Sequence, residues 1–88
     1  SNQTTLLSLR QHLTDLGQVE LAKAKASLDR GIPPDKVLEE FSRGLVNKIA
    51  HAPSLALKGA SKQGNSDFID AVSTLFALDG PNDESITD

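Results

Sequence analysis

Eighty-eight residues with 38% hydrophobic and only 3% aromatic content make one small domain with a thin core, because a chain of this size buries only about 60–65% of its unfolded surface. The sequence has no Cys, so neither a disulfide nor a thiolate-held metal supplements that core, and association with another chain is the remaining remedy. The net charge of -3 belongs to the tail: Asp79, Asp83, Glu84 and Asp88 lie in the last ten residues, which contain no base, while residues 1–78 carry nine bases against eight acids.

No apolar run approaches the ~20 residues of a membrane span, and no signal-peptide pattern opens the chain, so the expected location is cytoplasmic, or the plastid stroma in a plant or alga. The lack of Met and the Ser1-Asn2 start set the expectation of a piece of a longer polypeptide, with residues 1–3 a tag remnant or disordered start. Leu6, Leu9, Leu13, Gly17, Leu21, Ala24 and Leu28 then recur every three or four residues, the period of one straight amphipathic helix. The spacing predicts a helix of about 40 Å from Thr4 to Arg30, too long for so small a globule, so part of it should project or pair. Gly17 in its middle costs ~1 kcal/mol relative to Ala, so either another backbone approaches there or the helix is locally weak.

Gly31 is placed to terminate that helix, and Ile32-Pro33-Pro34 prevents its continuation. Pro34 suits the first turn of a second helix, with Asp35 favourable to its dipole and Val37, Leu38, Phe41, Leu45 and Ile49 as its apolar stripe. Pro53 predicts the end of that helix near His51 and the start of a third, carrying Leu55, Leu57 and Ala60. Gly64 closes the third; Asn65 or Ser66 caps a fourth, with Phe68, Ile69, Val72, Leu75 and Phe76 on one face. Residues 79–88 bury nothing and read as a disordered acidic tail.

No catalytic, cofactor-binding or metal site is assigned. The sequence contains no nucleophile elbow and no glycine-rich phosphate loop after a strand, and His12 and His51 fall on different predicted helices. His51 has functional readings as an RNA contact or a proton relay. The structural reading we adopt makes it a C-terminal cap of the second helix, where it satisfies orphan carbonyls at the negative end of the dipole. His12 is read as a helix-surface residue, and Asn47 either binds across a two-fold interface or caps locally. Between Glu40 and Asp67 there is no acid, and Arg43, Lys48, Lys58 and Lys62 supply the charge. Such a stretch suits phosphate contact, although no aromatic interleaves the bases to stack on nucleotides, and a solvated helix face is the plainer account.

The fourteen residues from Leu45 to Lys58 carry a family signature. Leu45, Asn47, Lys48, His51, Ala52 and Pro53 closely resemble the Leu-Thr-Asn-Lys-Leu-Leu-His-Ala-Pro stretch in the C-terminal domain of glutamyl-tRNA reductase, with Val46, Ile49 and Ala50 as departures. Upstream, Glu20-Leu21-Ala22-Lys23-Ala24, Leu28, Gly31, Val37, Leu38 and Arg43 are similar to the family's preceding helices. Downstream, Leu57-Lys58, Gly64 and the Phe68 to Leu78 segment fit its closing ones, whereas Leu16-Gly17-Gln18-Val19 stands where the family tends to place a charged turn.

The resemblance implies an all-α dimerisation domain over residues 4–78. Its long helix would be the end of a spinal helix, packed with about three shorter helices, and it would assemble as a helical homodimer. It further implies a parent enzyme that reduces glutamyl-tRNA to glutamate-1-semialdehyde with NADPH, in 5-aminolevulinate, porphyrin and tetrapyrrole biosynthesis. The family's catalytic thiolate and dinucleotide-binding domain have no counterpart in this sequence, so the segment itself is expected to be non-catalytic and free of cofactor. Leu6, Leu9, Leu13, Leu21, Leu28, Leu45 and Ile49 are the expected interface, and Arg43, Lys48, Lys58 and Lys62 the bases that would meet tRNA. The rival readings are a free-standing helical nucleic-acid-binding module and an adaptor whose long helix binds an unrelated partner.

Overall fold

The structure, a computed structural model, describes residues 2–78; Ser1 and the expected tail, 79–88, lie outside the described residues. Three α-helices, and no strand among the described residues, make up the fold: α1 (Asn2–Asp29), α2 (Pro34–Lys62) and α3 (Ser66–Leu75). The all-α class is the expected one, but the helix count is not. The second and third predicted helices are a single helix, and α2 with 29 residues is as long as α1 with 28, so one long helix with three shorter ones is corrected to two long and one short. Asn2 and Gln3, expected in a tag remnant or disordered start, belong to α1.

Pro53 sits inside α2 instead of opening a new helix. A proline has no N–H to offer the carbonyl four residues back, here Ile49, and costs ~3 kcal/mol in a helix interior. That is one missing bond in a long ladder. The chain divides into two compact units that meet in sequence between Ala50 and His51, in the same turn.

All three helices end in the same way. Ile32 N–H donates to Ser27 O at 3.1 Å and Gly31 N–H to Leu28 O at 2.9 Å; Asn65 donates to Ala60 O at 2.8 Å and Gly64 to Ser61 O at 3.2 Å; Leu78 donates to Ser73 O at 2.7 Å and Ala77 to Thr74 O at 3.1 Å. This is the Schellman pairing, which requires a left-handed residue just past the helix. Gly31 (φ 85°) and Gly64 (φ 68°) supply it without strain, whereas Ala77 (φ 57°) adopts it with a Cβ. At the start of α3 the Asn65 side chain accepts from Phe68 N–H at 3.1 Å, so of the two candidate N-caps, Asn65 and Ser66, Asn65 is the cap.

In the first unit α1 packs on the N-terminal part of α2. Val37 is buried, and Leu16, Gly17, Ala24, Ser27, Phe41, Gly44 and Leu45 are half-buried. Glu20 is also buried, at 5% exposure; its Oε2 accepts from Lys23 Nζ at 3.2 Å, one turn on, where the lysine remains largely in solvent. A Cβ added to Gly44 of α2 would collide with Glu20 Oε1 and lie 3.3 Å from Cδ, whereas one added to Gly17 would meet nothing within 4 Å. Within the first unit, therefore, the glycine that admits a close neighbour is Gly44. In the second unit Ala60 and Val72 are buried, with Pro53, Leu57, Gly59 and Ile69 half-buried around them.

This contact sets up a double-mutant cycle. Alanine at an interior helix position is favoured over glycine by about 1 kcal/mol, but at residue 44 the methyl group must first displace the Glu20 carboxylate. Gly44→Ala is expected to stabilise the chain more in a Glu20→Ala background than alone, with a coupling of about 0.5–3 kcal/mol in chemical denaturation. Additive effects would mean that the two residues do not touch.

Candidate functional site

The described residues bury three apolar side chains, Val37, Ala60 and Val72, and leave fifteen large ones exposed, which inverts the usual arrangement of a stable protomer. The exposed side chains are not scattered. Every residue from Asn2 to Asp15 is exposed, so the first half of α1 presents Leu6, Leu9 and Leu13 with no cover from the protomer, and Leu21 and Leu28 continue the row along the second half. These are the five leucines expected at an interface.

The predicted stripe of α2 resolves into two. Val37, Phe41, Gly44 and Leu45 are its buried or half-buried positions in the first unit, while Leu38, Val46 and Ile49 remain exposed on another side. Leu45 is thus shared with the protomer's own core, and Ile49 stays available. Sequence reasoning missed Val46 as a surface apolar position. It also missed the contact between Gly44 and Glu20, for which the signal was a glycine one residue before a stripe leucine in a predicted helix.

Of the family-motif residues, Asn47, Lys48, His51 and Ala52 are exposed and Leu45 and Pro53 half-buried. His51 is corrected: α2 runs through it to Lys62, so it does not stand at a helix end and does not cap one. Asn47 likewise stands mid-helix, which removes a local capping role. Arg43 and Lys48 are exposed in the first unit; Lys58 and Lys62 are exposed in the second, four residues apart and so neighbours on one face of α2.

The first unit contains a cleft of about 370 Å³ between α1 and α2, with Ala24, Val37 and Phe41 on its wall and Lys23, Arg30 and Glu40 among its charged groups. Among the described residues no group of three His, Asp or Glu side chains is placed to hold a metal ion, and no helix is long and apolar enough to cross a membrane. What the arrangement offers is an apolar helix face, the equipment of an association module.

The comparisons name the association. The sequence pattern described as glutamyl-tRNAGlu reductase, dimerisation domain, matches residues 2–78, and the chain belongs to that family. Its relatives include the glutamyl-tRNA reductase of Saccharophagus degradans, 40% identical over 79 residues, which make 90% of this chain and 19% of the relative. That of Pseudomonas aeruginosa is 40% identical over 74 residues, 84% of this chain and 18% of the relative. That of Pseudomonas putida strain W619 is 42% identical over 82 residues, 92% and 19%. The chain spans about a fifth of the length of the curated relatives it matches. No solved structure matches it.

Because His51 is an exposed mid-helix residue, His51→Ala is expected to change stability by no more than about 0.5 kcal/mol, the usual range for a surface position. A destabilisation of about 1–2 kcal/mol on thermal or urea unfolding, the size expected for removal of a cap, would restore the capping role.

Proposed function

We propose that this chain joins two subunits of a glutamyl-tRNA reductase as a symmetric homodimer. The parent would be the NADPH-dependent oxidoreductase that converts glutamyl-tRNA to glutamate-1-semialdehyde for 5-aminolevulinate and tetrapyrrole synthesis, and it would act in the cytoplasm. The segment supplies no catalytic group; its work is mechanical, fixing two catalytic bodies relative to each other. The observation that carries this reading is the open leucine row of α1, a surface that costs hydration free energy in the protomer and recovers it when a copy covers it. Burial of a leucine from full exposure is worth about 1.5–3 kcal/mol, so a few such residues on each copy suffice to drive association.

Light scattering tests it. The 88-residue chain is expected at twice 9.4 kDa at tens of micromolar. Leu13→Asp should give a folded monomer, because the protomer leaves Leu13 exposed and only the interface would bury the charge. Gln18→Asp, about 140° round the helix, should leave the dimer intact. A wild-type monomer would sink the reading.

The second element of the reading is tRNA contact by Arg43, Lys48, Lys58 and Lys62, favoured by their exposure on a stretch of α2 that carries no acid. Removing one phosphate-binding base lowers the slope of the salt dependence of binding by about 0.7–0.9. Lys58→Ala with Lys62→Ala in the full-length reductase is therefore expected to weaken tRNA binding and reduce that slope by about 1–2. An unchanged slope would make these bases a solvated face.

A further inference from the structure

α1 carries a sequence symmetry whose leucines the protomer leaves exposed. Counted from Gly17, leucines stand four residues away on either side, at Leu13 and Leu21, and eleven residues away on either side, at Leu6 and Leu28. At about 100° per residue these five positions fall within roughly 80° of arc, forming one strip along the helix. The strip is open: Leu6, Leu13, Leu21 and Leu28 are 55%, 39%, 37% and 46% exposed, and a Cβ on Gly17 would meet nothing within 4 Å. The side of α1 that approaches α2, marked by Glu20 and Ser27, overlaps part of the strip: Ala24 on the same arc lines the cleft, and Ala24 and Gly17 are half-buried while the four leucines stay exposed.

We propose that in the dimer α1 crosses α1 of a second copy antiparallel, with the two-fold axis at Gly17, so that Leu13 meets the partner's Leu21 and Leu6 meets the partner's Leu28. This rests on the dimer reading above and specifies its geometry. The occupant is a copy of this chain because the row is self-complementary. In an isologous contact residue i faces j while j faces i, and about a two-fold axis at Gly17 a row that reads the same from both ends sets leucine against leucine at every pair. The seven-residue steps from Leu6 to Leu13 and from Leu21 to Leu28 are two turns each, the spacing of a seam between helices crossing at about 20°. Gly17 then lies where the two backbones come nearest, which accounts for an interior glycine whose Cβ position is open in the protomer. Charge agrees with the register. Every charged residue of α1, from Arg10 to Asp29, faces an uncharged position of the partner helix, so no like charges oppose one another.

The absence of native Cys makes engineered thiols a clean probe. Helix axes about 8–10 Å apart, less a Cα radius of about 2.3 Å on each side, leave facing Cα atoms roughly 3.5–5.5 Å apart, overlapping the ~4.4–6.8 Å window of a disulfide. Gly17→Cys is expected to give predominantly disulfide-linked dimer on mild oxidation, read on a non-reducing gel. Leu13→Cys alone should not link, since its two copies would sit about 12 Å apart along the axes. An equimolar mixture of Leu13→Cys and Leu21→Cys chains should link as the mixed pair. Both thiol designs are checked for helicity and molar mass in the reduced state. If the reduced chains are dimeric and neither link forms, the crossing is wrong and the dimer reading survives. The same holds if a Leu9→Cys and Leu13→Cys mixture links instead, placing the crossing near Gln11. If the unmodified chain is monomeric by light scattering, the dimer reading fails and the crossing falls with it.

Discussion

The structure depends on a mismatch between helix length and available cover. A helix of 28 residues is about 42 Å long at 1.5 Å per residue, whereas the burial it finds in its own protomer is confined to Leu16 through Ser27. Helix formation is cooperative, and most helical stability in water comes from packing of an apolar face. An exposed row of leucines on the unburied half is therefore a free-energy cost that the chain alone does not offset. The absence of Cys removes the covalent remedy available to many domains of this size, which leaves burial by further polypeptide.

Where α1 does find cover, the contact is built around a charge. Glu20 is buried against a glycine of α2, and its two carboxylate oxygens divide between a lysine at the solvent edge and a site where no side chain stands. A carboxylate in such a place contributes little net stability, since a partly exposed pair is worth about 0–1 kcal/mol and desolvation opposes it. The position of Gly44 in the apolar run of α2 follows from this: the carboxylate occupies the space that a methyl group would take. Small apolar residues and one salt bridge make the protomer's inner contact thin, and the larger side chains lie on the outside.

How much of this was legible follows from how local each feature is. Gly31, Gly64 and Asn65 announced two helix ends and one helix start because a left-handed backbone and an N-cap are decided by the residue itself. Ala77 gave no such sign, since nothing in an alanine marks it for the left-handed region. Pro53 misled for the opposite reason. Its local cost is real, but about 3 kcal/mol distributed over a 29-residue helix is outweighed by turns held on either side, and a single sequence does not display that support. The error then propagated to His51, whose capping role existed only if α2 ended there. In α2, periodicity identified the apolar residues correctly but could not divide them between two faces, because Val37, Leu38, Phe41, Leu45 and Ile49 all satisfy a three-to-four spacing while only some meet α1. For α1 the same periodicity picked out Leu6, Leu9, Leu13, Leu21 and Leu28, which the protomer leaves exposed.

In the proposed dimer a chain built this way couples folding to assembly. If a copy covers the exposed leucines as proposed, stability of the folded state acquires a term that depends on protomer concentration, as it does for any species stabilised by a ligand that binds only the folded form. The two compact units need not share that term equally. The leucine row belongs to the first, on α1, while the second carries its own exposed Phe68, Leu75, Phe76 and Leu78 around a core of Ala60 and Val72. Between them lies Pro53, the turn of α2 where the hydrogen-bond ladder is incomplete at Ile49. In the proposed dimer, burial of α1 would stabilise the first unit directly, and Pro53 marks the turn of α2 at which the hydrogen-bond ladder toward the second is incomplete.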